Sequence, residues 1–222
     1  MRDLLNFLQL ELFPDHFQRK AFKKNETIFQ SASTDPAQAF GVVLDGVITV
    51  ENQSAPKASA FYQLLKKDDF FGLEALLDNE THLQLSYKIL AVTDCEIIFI
   101  DRDYLLDHLY VEPKFFHAIL ERISGEYMIL MRRYATVNAN PSFKLANALL
   151  EIIRIFELDT SSSTIVLPDF LSHQMLAHLT QSSRARITIA LNDLRKQKII
   201  TQTRPIIIRD IEALRQISSK KC

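Results

Sequence analysis

The sequence predicts an α+β protein: an N-terminal antiparallel β-roll, a long helix and a C-terminal winged helix-turn-helix. Three observations carry this. Between Arg19 and Asp101 short segments rich in Val, Ile, Phe and Tyr recur about every 8 to 15 residues. From Phe116 to Val137 apolar residues recur in alternating steps of four and three. From Leu171 to Lys198 two short helical patterns run one after the other, and two β-branched runs come after them. A chain of 222 residues is long enough for two domains that each bury a core. The expected boundaries are 1–110 for the roll, 111–138 for the helix and 139–222 for the last domain.

At the start, Leu4, Leu5, Phe7, Leu8, Leu10 and Phe13 alternate with polar residues, which predicts a helical lead-in stopped near Pro14. The strand segments after it are Arg19–Phe22, Glu26–Gln30, Ala39–Leu44, Gly46–Glu51, Ala58–Leu65, Tyr87–Ala91 and Glu96–Asp101. Their spacing and composition fit a β-sandwich or jelly roll. Asp45-Gly46, between two β-branched runs, predicts a tight hairpin, because glycine supplies the positive φ of such a turn.

From Asp103 the pattern turns helical and stays so. Phe116, Leu120, Ile123, Tyr127, Leu130, Tyr134 and Val137 form an a/d seam, while Phe115, Ile119 and Ile129 make a second apolar edge able to cover the roll. The seam is left for a partner, and a second copy of the chain is the economical one. Asn138-Ala139-Asn140-Pro141 ends the helix and predicts a hinge. Ser142 is expected to cap the next helix, whose apolar face holds Leu145, Leu149, Ile152, Ile153 and Phe156. A polar loop over 158–164 and a short strand at Ile165-Val166-Leu167 come next.

Ser172 precedes Met175, Leu176 and Leu179, so it is the natural N-cap of a short helix ending near Leu179. Thr180-Gln181-Ser182-Ser183 supplies a turn and a second cap. Ile187, Leu191 and Leu194 then mark a second helix. Its first turn carries Arg184 and Arg186 away from the apolar stripe, beside Ser183 and Thr188. Arginine can pair in bidentate fashion with guanine, and hydroxyls and a helix N-terminus can hold phosphates. Ile199–Thr203 and Ile206–Ile208, separated by Arg204-Pro205, read as a hairpin that completes a winged helix.

Charge agrees with this division. From Ala139 onward there are 12 Lys/Arg against 7 Asp/Glu, and before it 14 against 20. A basic module suited to releasing counterions from DNA therefore succeeds an acidic one. No apolar run approaches the roughly 20 residues of a membrane span, and no signal peptide is evident. Cys95 and Cys222 form no CxxC pair, which points to a reducing cytoplasm. His82, His108 and His117 fall in loop or helical patterns and not on clustered strands, so no metal, no cofactor and no cupin-like enzyme activity is expected.

The run LSHQ...SSRARITIALNDLRKQKII with its short hairpin resembles the DNA-binding domain of the Crp/Fnr family of bacterial transcription regulators, and is most similar to the cyanobacterial nitrogen-control branch. Lys67-Asp68-Asp69-Phe70-Phe71-Gly72 is similar to the turn into the ligand cassette of cyclic-nucleotide-binding-like rolls. The resemblance implies a homodimer on a pseudo-palindromic operator in double-stranded DNA, with RNA polymerase as a further partner. It implies base reading by Arg184 and phosphate-facing positions at Ser172, Gln174 and Ser183. Ala185 and Ile189 stand where the family commonly has glutamate and arginine, so the operator should depart from the usual half-site.

The effector-pocket candidates under this resemblance are Phe71, Gly72, Leu73, Glu74, Leu85, Ser86 and Tyr127. Leu73 replaces the ribose-reading glutamate and Leu85 the phosphate-reading arginine, which argues against cAMP or cGMP because a buried phosphate needs a cation. The nitrogen-control branch binds 2-oxoglutarate. Its Phe-Gly-x-x-x-Leu-Leu is kept as Phe71–Leu77, but Leu85 and Glu126 stand at its basic positions. A degenerate or altered pocket is the expectation. The alternatives are control by a small metabolite such as 2-oxoglutarate and a winged-helix protein-contact scaffold without DNA binding.

Overall fold

The computed structural model describes residues 2–8, 12–30, 39–52, 62–76 and 87–219. They divide into two compact units, one up to Ile129 and one from Leu130 onward. In the first unit, β1 (Phe17–Phe22), β2 (Thr27–Gln30), β3 (Ala39–Asp45), β4 (Val47–Asn52), β5 (Tyr62–Lys66), β6 (Phe70–Phe71), β7 (Tyr87–Ala91) and β8 (Cys95–Asp101) make two antiparallel four-stranded sheets. One has the order β1-β8-β3-β6 and the other β2-β7-β4-β5. This is the expected roll.

The hairpin expected at Asp45-Gly46 is not one. β3 pairs with β8 and β6, whereas β4 pairs with β5 and β7, so the chain changes sheets at Gly46. Glycine is required there for two reasons. Its φ is +86°, and an added Cβ would fall on the Asp94 carbonyl oxygen and within 2.6 Å of the Cys95 Cβ. The corner is tied down by Val47, whose N–H donates to Thr93 Oγ1 at 2.9 Å and whose carbonyl accepts from Val92. The β7–β8 connection also switches sheets, so these two corners lie side by side. Cys95, buried at this corner, has its thiol pushed up to about 11, chiefly by burial.

The roll buries Phe40, Val42, Ile98 and Ile100 against Leu105 and Leu109 of α2 (Arg102–Val111) and Phe115 and Ile119 of α3 (Lys114–Ala135). The lead-in is shorter than expected: α1 covers Arg2–Phe7, and Pro14 opens a 3-10 turn (Pro14–His16) instead of ending a helix. The helical stretch from Asp103 is also interrupted. Pro113 holds Glu112 at φ −128°, ψ 82°, outside the helical region, and so divides α2 from α3.

The second unit contains α4 (Pro141–Ile155), β9 (Ile165–Val166), α5 (His173–Leu179), α6 (Arg184–Lys196), β10 (Ile200–Thr203), β11 (Ile206–Ile208) and α7 (Ile211–Ser219). The cap of α4 is Asn140 and not Ser142. Asn140 Oδ1 accepts from the Ser142 N–H at 2.8 Å, and Pro141 takes the first helical position, where its missing N–H has no partner to lose. Leu145, Leu149, Ile152 and Ile153 of α4 are buried with Leu176 and Leu179 of α5, Ile187, Leu191 and Leu194 of α6, and Leu214 of α7. The hairpin β10–β11 is joined by β9, which pairs antiparallel with β11. Among the described residues no helix is long and apolar enough to cross a membrane.

Candidate functional site

The α5–turn–α6 segment forms as its residues dictate. Ser172 Oγ accepts from the Met175 N–H at 3.1 Å, and Ser183 Oγ accepts from the Arg186 N–H at 3.3 Å, so both serines are N-caps. Between them Gln181 takes a positive φ of 48°, and Ser182 N–H returns to the Ala177 carbonyl. That bond closes the end of α5 as a Schellman turn with a non-glycine residue in the left-handed position. Thr180, buried, donates its hydroxyl to the Leu176 carbonyl at 2.7 Å. The turn is therefore satisfied internally.

Successive residues of α6 are rotated by about 100°. With Ile187, Ala190, Leu191 and Leu194 buried, the outward direction holds Ala185 and Ile189, both exposed. Arg184 and Thr188 lie on one flank of that face and Arg186 on the other; both arginines are exposed. Thr188 gives its hydroxyl hydrogen to the Arg184 carbonyl at 3.0 Å and has His173 Nδ1 at 3.1 Å. Burial first, and then the charges of Arg204 and Arg184, hold the His173 imidazole below its usual range. The first residue of α5, the first turn of α6 and the wing turn thus meet on one cationic surface. Gln174 is exposed, with its Nε2 2.6 Å from His178 Nε2.

Lys144, in the first turn of α4, was not singled out by the sequence. Its Nζ donates to the Val137 carbonyl at 3.0 Å and to the Gln181 carbonyl at 3.4 Å, tying the segment before α4 to the helix-turn-helix turn. Burial and the nearby Arg186 charge lower its pKa.

Of the seam residues, Phe116 and Ile123 pack partly against the roll core. Leu120, Tyr127, Leu130, Tyr134 and Val137 are exposed, as are Met128 and Met131 beside them. Phe115 and Ile119 are buried on the roll, as their edge of the helix implied.

Around the effector-pocket candidates, Phe71 is buried on β6 opposite Gly41, where any Cβ would collide with its ring. Gly72 has φ +80° and turns the chain into a 3-10 turn, Leu73–Leu76. Leu73 packs against the roll core, Glu74 is exposed and Tyr127 is exposed on α3. Leu85 and Ser86 lie outside the described residues.

An ion network not legible in the sequence lies between β5, the β5–β6 turn and α3. Arg122 Nη2 stands 2.8 Å from Asp69 Oδ1 and 2.8 Å from Glu126 Oε1. Gln63 Nε2 donates to Glu126 Oε2 at 2.7 Å, and the Lys66 N–H donates to Asp69 Oδ2 at 2.8 Å. Burial raises the Asp69 carboxyl above its usual range, against the lowering effect of the Lys66 N–H and of Arg122. Lys88 faces Glu51 across β4–β7 at 3.5 Å.

Comparison with known proteins agrees with this architecture. Residues 19–109 match the cyclic nucleotide-binding domain family, and residues 144–217 match the Crp-like helix-turn-helix domain family. The global nitrogen regulator of Synechococcus elongatus is 24% identical over 184 residues, which is 82% of this chain and 81% of that protein. The structure of FixK2 from Bradyrhizobium japonicum superposes with a TM-score of 0.72 at 17% identity, over 93% of this chain and 99% of that one. A transcriptional regulator of the CRP/FNR family from Thermus thermophilus gives 0.67 at 22% identity, over 92% and 100%. With a cyclic nucleotide-binding roll and a Crp-like helix-turn-helix matched in one chain, the protein has the domain composition and fold of Crp/Fnr-type DNA-binding transcription regulators.

Proposed function

We propose that the chain acts as a homodimer that reads a two-fold symmetric operator in double-stranded DNA, in the cytoplasm and together with RNA polymerase. In this reading residues 1–110 are a sensor roll, 111–138 a dimerisation helix and 139–222 the DNA-binding domain. The observation that carries it is the exposed first turn of α6, with Arg184 and Arg186 held out by the Ser183 cap. Arg184 reads a guanine edge. Ser172, Gln174, Ser183 and Thr188 contact phosphate or base from the same surface, the two capping serines through their free O–H hydrogens. The exposed stripe of α3 supports the dimer, because a second copy covering it would remove its apolar side chains from water, and a two-fold dimer presents two recognition helices to two half-sites.

Arg184→Ala is expected to weaken operator binding by about 1–3 kcal/mol and to relax preference at one base pair per half-site. Arg186→Ala should weaken binding to all sequences alike, with a smaller salt slope. Titrating labelled operator and single-base variants with each protein checks this; equal affinity of wild type and Arg184→Ala would contradict the assignment.

The effector site is altered from its relatives'. Arg122 is already met by Asp69 and Glu126, and Lys88 by Glu51, so neither is a vacant cation for an anionic ligand. The charge that a phosphate or dicarboxylate would supply is provided by the protein's own carboxylates. Accordingly cAMP, cGMP and 2-oxoglutarate at millimolar concentration should leave the melting temperature unchanged. A ligand at 100 times its dissociation constant would stabilise the fold by about 2.7 kcal/mol, an easily detected shift. A saturable shift with any of the three would contradict the reading of an altered effector site.

A further inference from the structure

We infer that Ile189, with Ala185 one turn before it, selects a thymine in each operator half-site through the C5-methyl group. The inference rests on the proposed docking of α6 in the major groove and names the base chemistry at the centre of its outward face. From Pro141 to Ser219, Ile189 and Val166 are the exposed large hydrophobic residues among those described, and Ile189 is 61% exposed. No core explains it: the buried side of α6 is filled by Ile187, Ala190, Leu191 and Leu194. It is flanked instead by charge, with Arg184 and Thr188 on one side of the face and Arg186 on the other.

A branched hydrocarbon at the middle of a cationic reading surface is poorly placed for phosphate, for guanine O6/N7 or for the cytosine amino group. The thymine methyl is the apolar feature of the major groove, and apolar side chains are its ordinary partners. Ala185 adds a second exposed methyl on the same line without filling the space that Ile189 needs to reach a base. The flanking Arg184 and Arg186 can hold their own contacts because neither shares that line along the helix.

The test uses full-length protein and the duplex it selects from a random pool, with each thymine replaced in turn by deoxyuridine, which removes only the methyl. One thymine per half-site should be found whose replacement weakens wild-type binding about fourfold, the transfer value of one buried methyl, and on the order of fifteenfold when both half-sites are changed. Ile189→Ala should bind the thymine and uracil duplexes equally, at about the wild-type affinity for uracil. An exposed isoleucine can be shortened without loss of fold, and an unchanged unfolding midpoint will verify that. If wild type binds the selected duplex tightly but no replacement has an effect that Ile189→Ala abolishes, the inference is wrong while the DNA-binding assignment stands. If no sequence is enriched at all, the proposed docking fails and takes this inference with it.

Discussion

Placing glutamate at both Leu120 and Leu130 is expected to give a folded monomer that no longer holds its operator. The two side chains are 60% and 46% exposed, so their loss does not open the core. Ile123 is a poorer choice although it shares the seam, because it packs against the roll and its replacement would damage the monomer as well. In a dimer covering this stripe each copy would bury two carboxylates without partners, and an uncompensated buried charge destabilises by about 3–5 kcal/mol. Four such groups exceed what an interface of ordinary size can absorb. A monomer then engages one half-site at a time and loses the gain from simultaneous binding, on the order of a hundredfold to ten-thousandfold. Sedimentation and operator titration measure the two effects separately. A double variant that remains dimeric would mean that the stripe serves another contact.

The second large effect is on stability: Gly46→Ala should reduce unfolding free energy by about 2–5 kcal/mol. A non-glycine residue held at a positive φ costs about 1–2 kcal/mol, and overpacking of a filled site a further 1–3 kcal/mol. Both apply, because φ at Gly46 is +86° and the new Cβ would press on the Asp94 carbonyl and on Cys95. At an open hairpin tip only the first would apply, at roughly 1–2 kcal/mol. Urea unfolding therefore distinguishes a corner between sheets from a simple turn. A loss of about 1 kcal/mol or less would contradict the corner packing.

Gly46 also illustrates what the sequence could and could not disclose. A glycine between two β-branched runs signals a positive φ, and the positive φ is there. Which strands pair on either side is decided by partners far along the chain: β8 and β6 for β3, and β5 and β7 for β4. The helix-turn-helix was legible nearly to the residue because its determinants are local. Ser172 caps α5 and Ser183 caps α6, and the apolar steps fix the buried faces. Pro113 and Asp210 are local signals that were passed over, since the helical stretch from Asp103 was expected to run unbroken and no helix was expected after the wing. The first divides α2 from α3, and the second accepts the Ala213 N–H at 2.8 Å at the start of α7, whose Ile211, Leu214 and Ile217 recur every third residue. The Asp69–Arg122–Glu126–Gln63 network could not be read in this way. Its members come from two strands' surroundings and a later helix, and only the fold brings them within hydrogen-bonding distance.

The assignment as a dimeric, sequence-specific regulator is tested most directly by selecting bound duplexes from a random DNA pool with the full-length protein at physiological salt. The expected result is one enriched, two-fold symmetric sequence with half-site centres about 10 base pairs apart or a multiple of that, since symmetric recognition helices must meet successive major-groove faces. Enrichment of an asymmetric single site would contradict the dimer. Retention of DNA without any sequence preference, or no retention, would contradict the assignment of α6 as a reading helix.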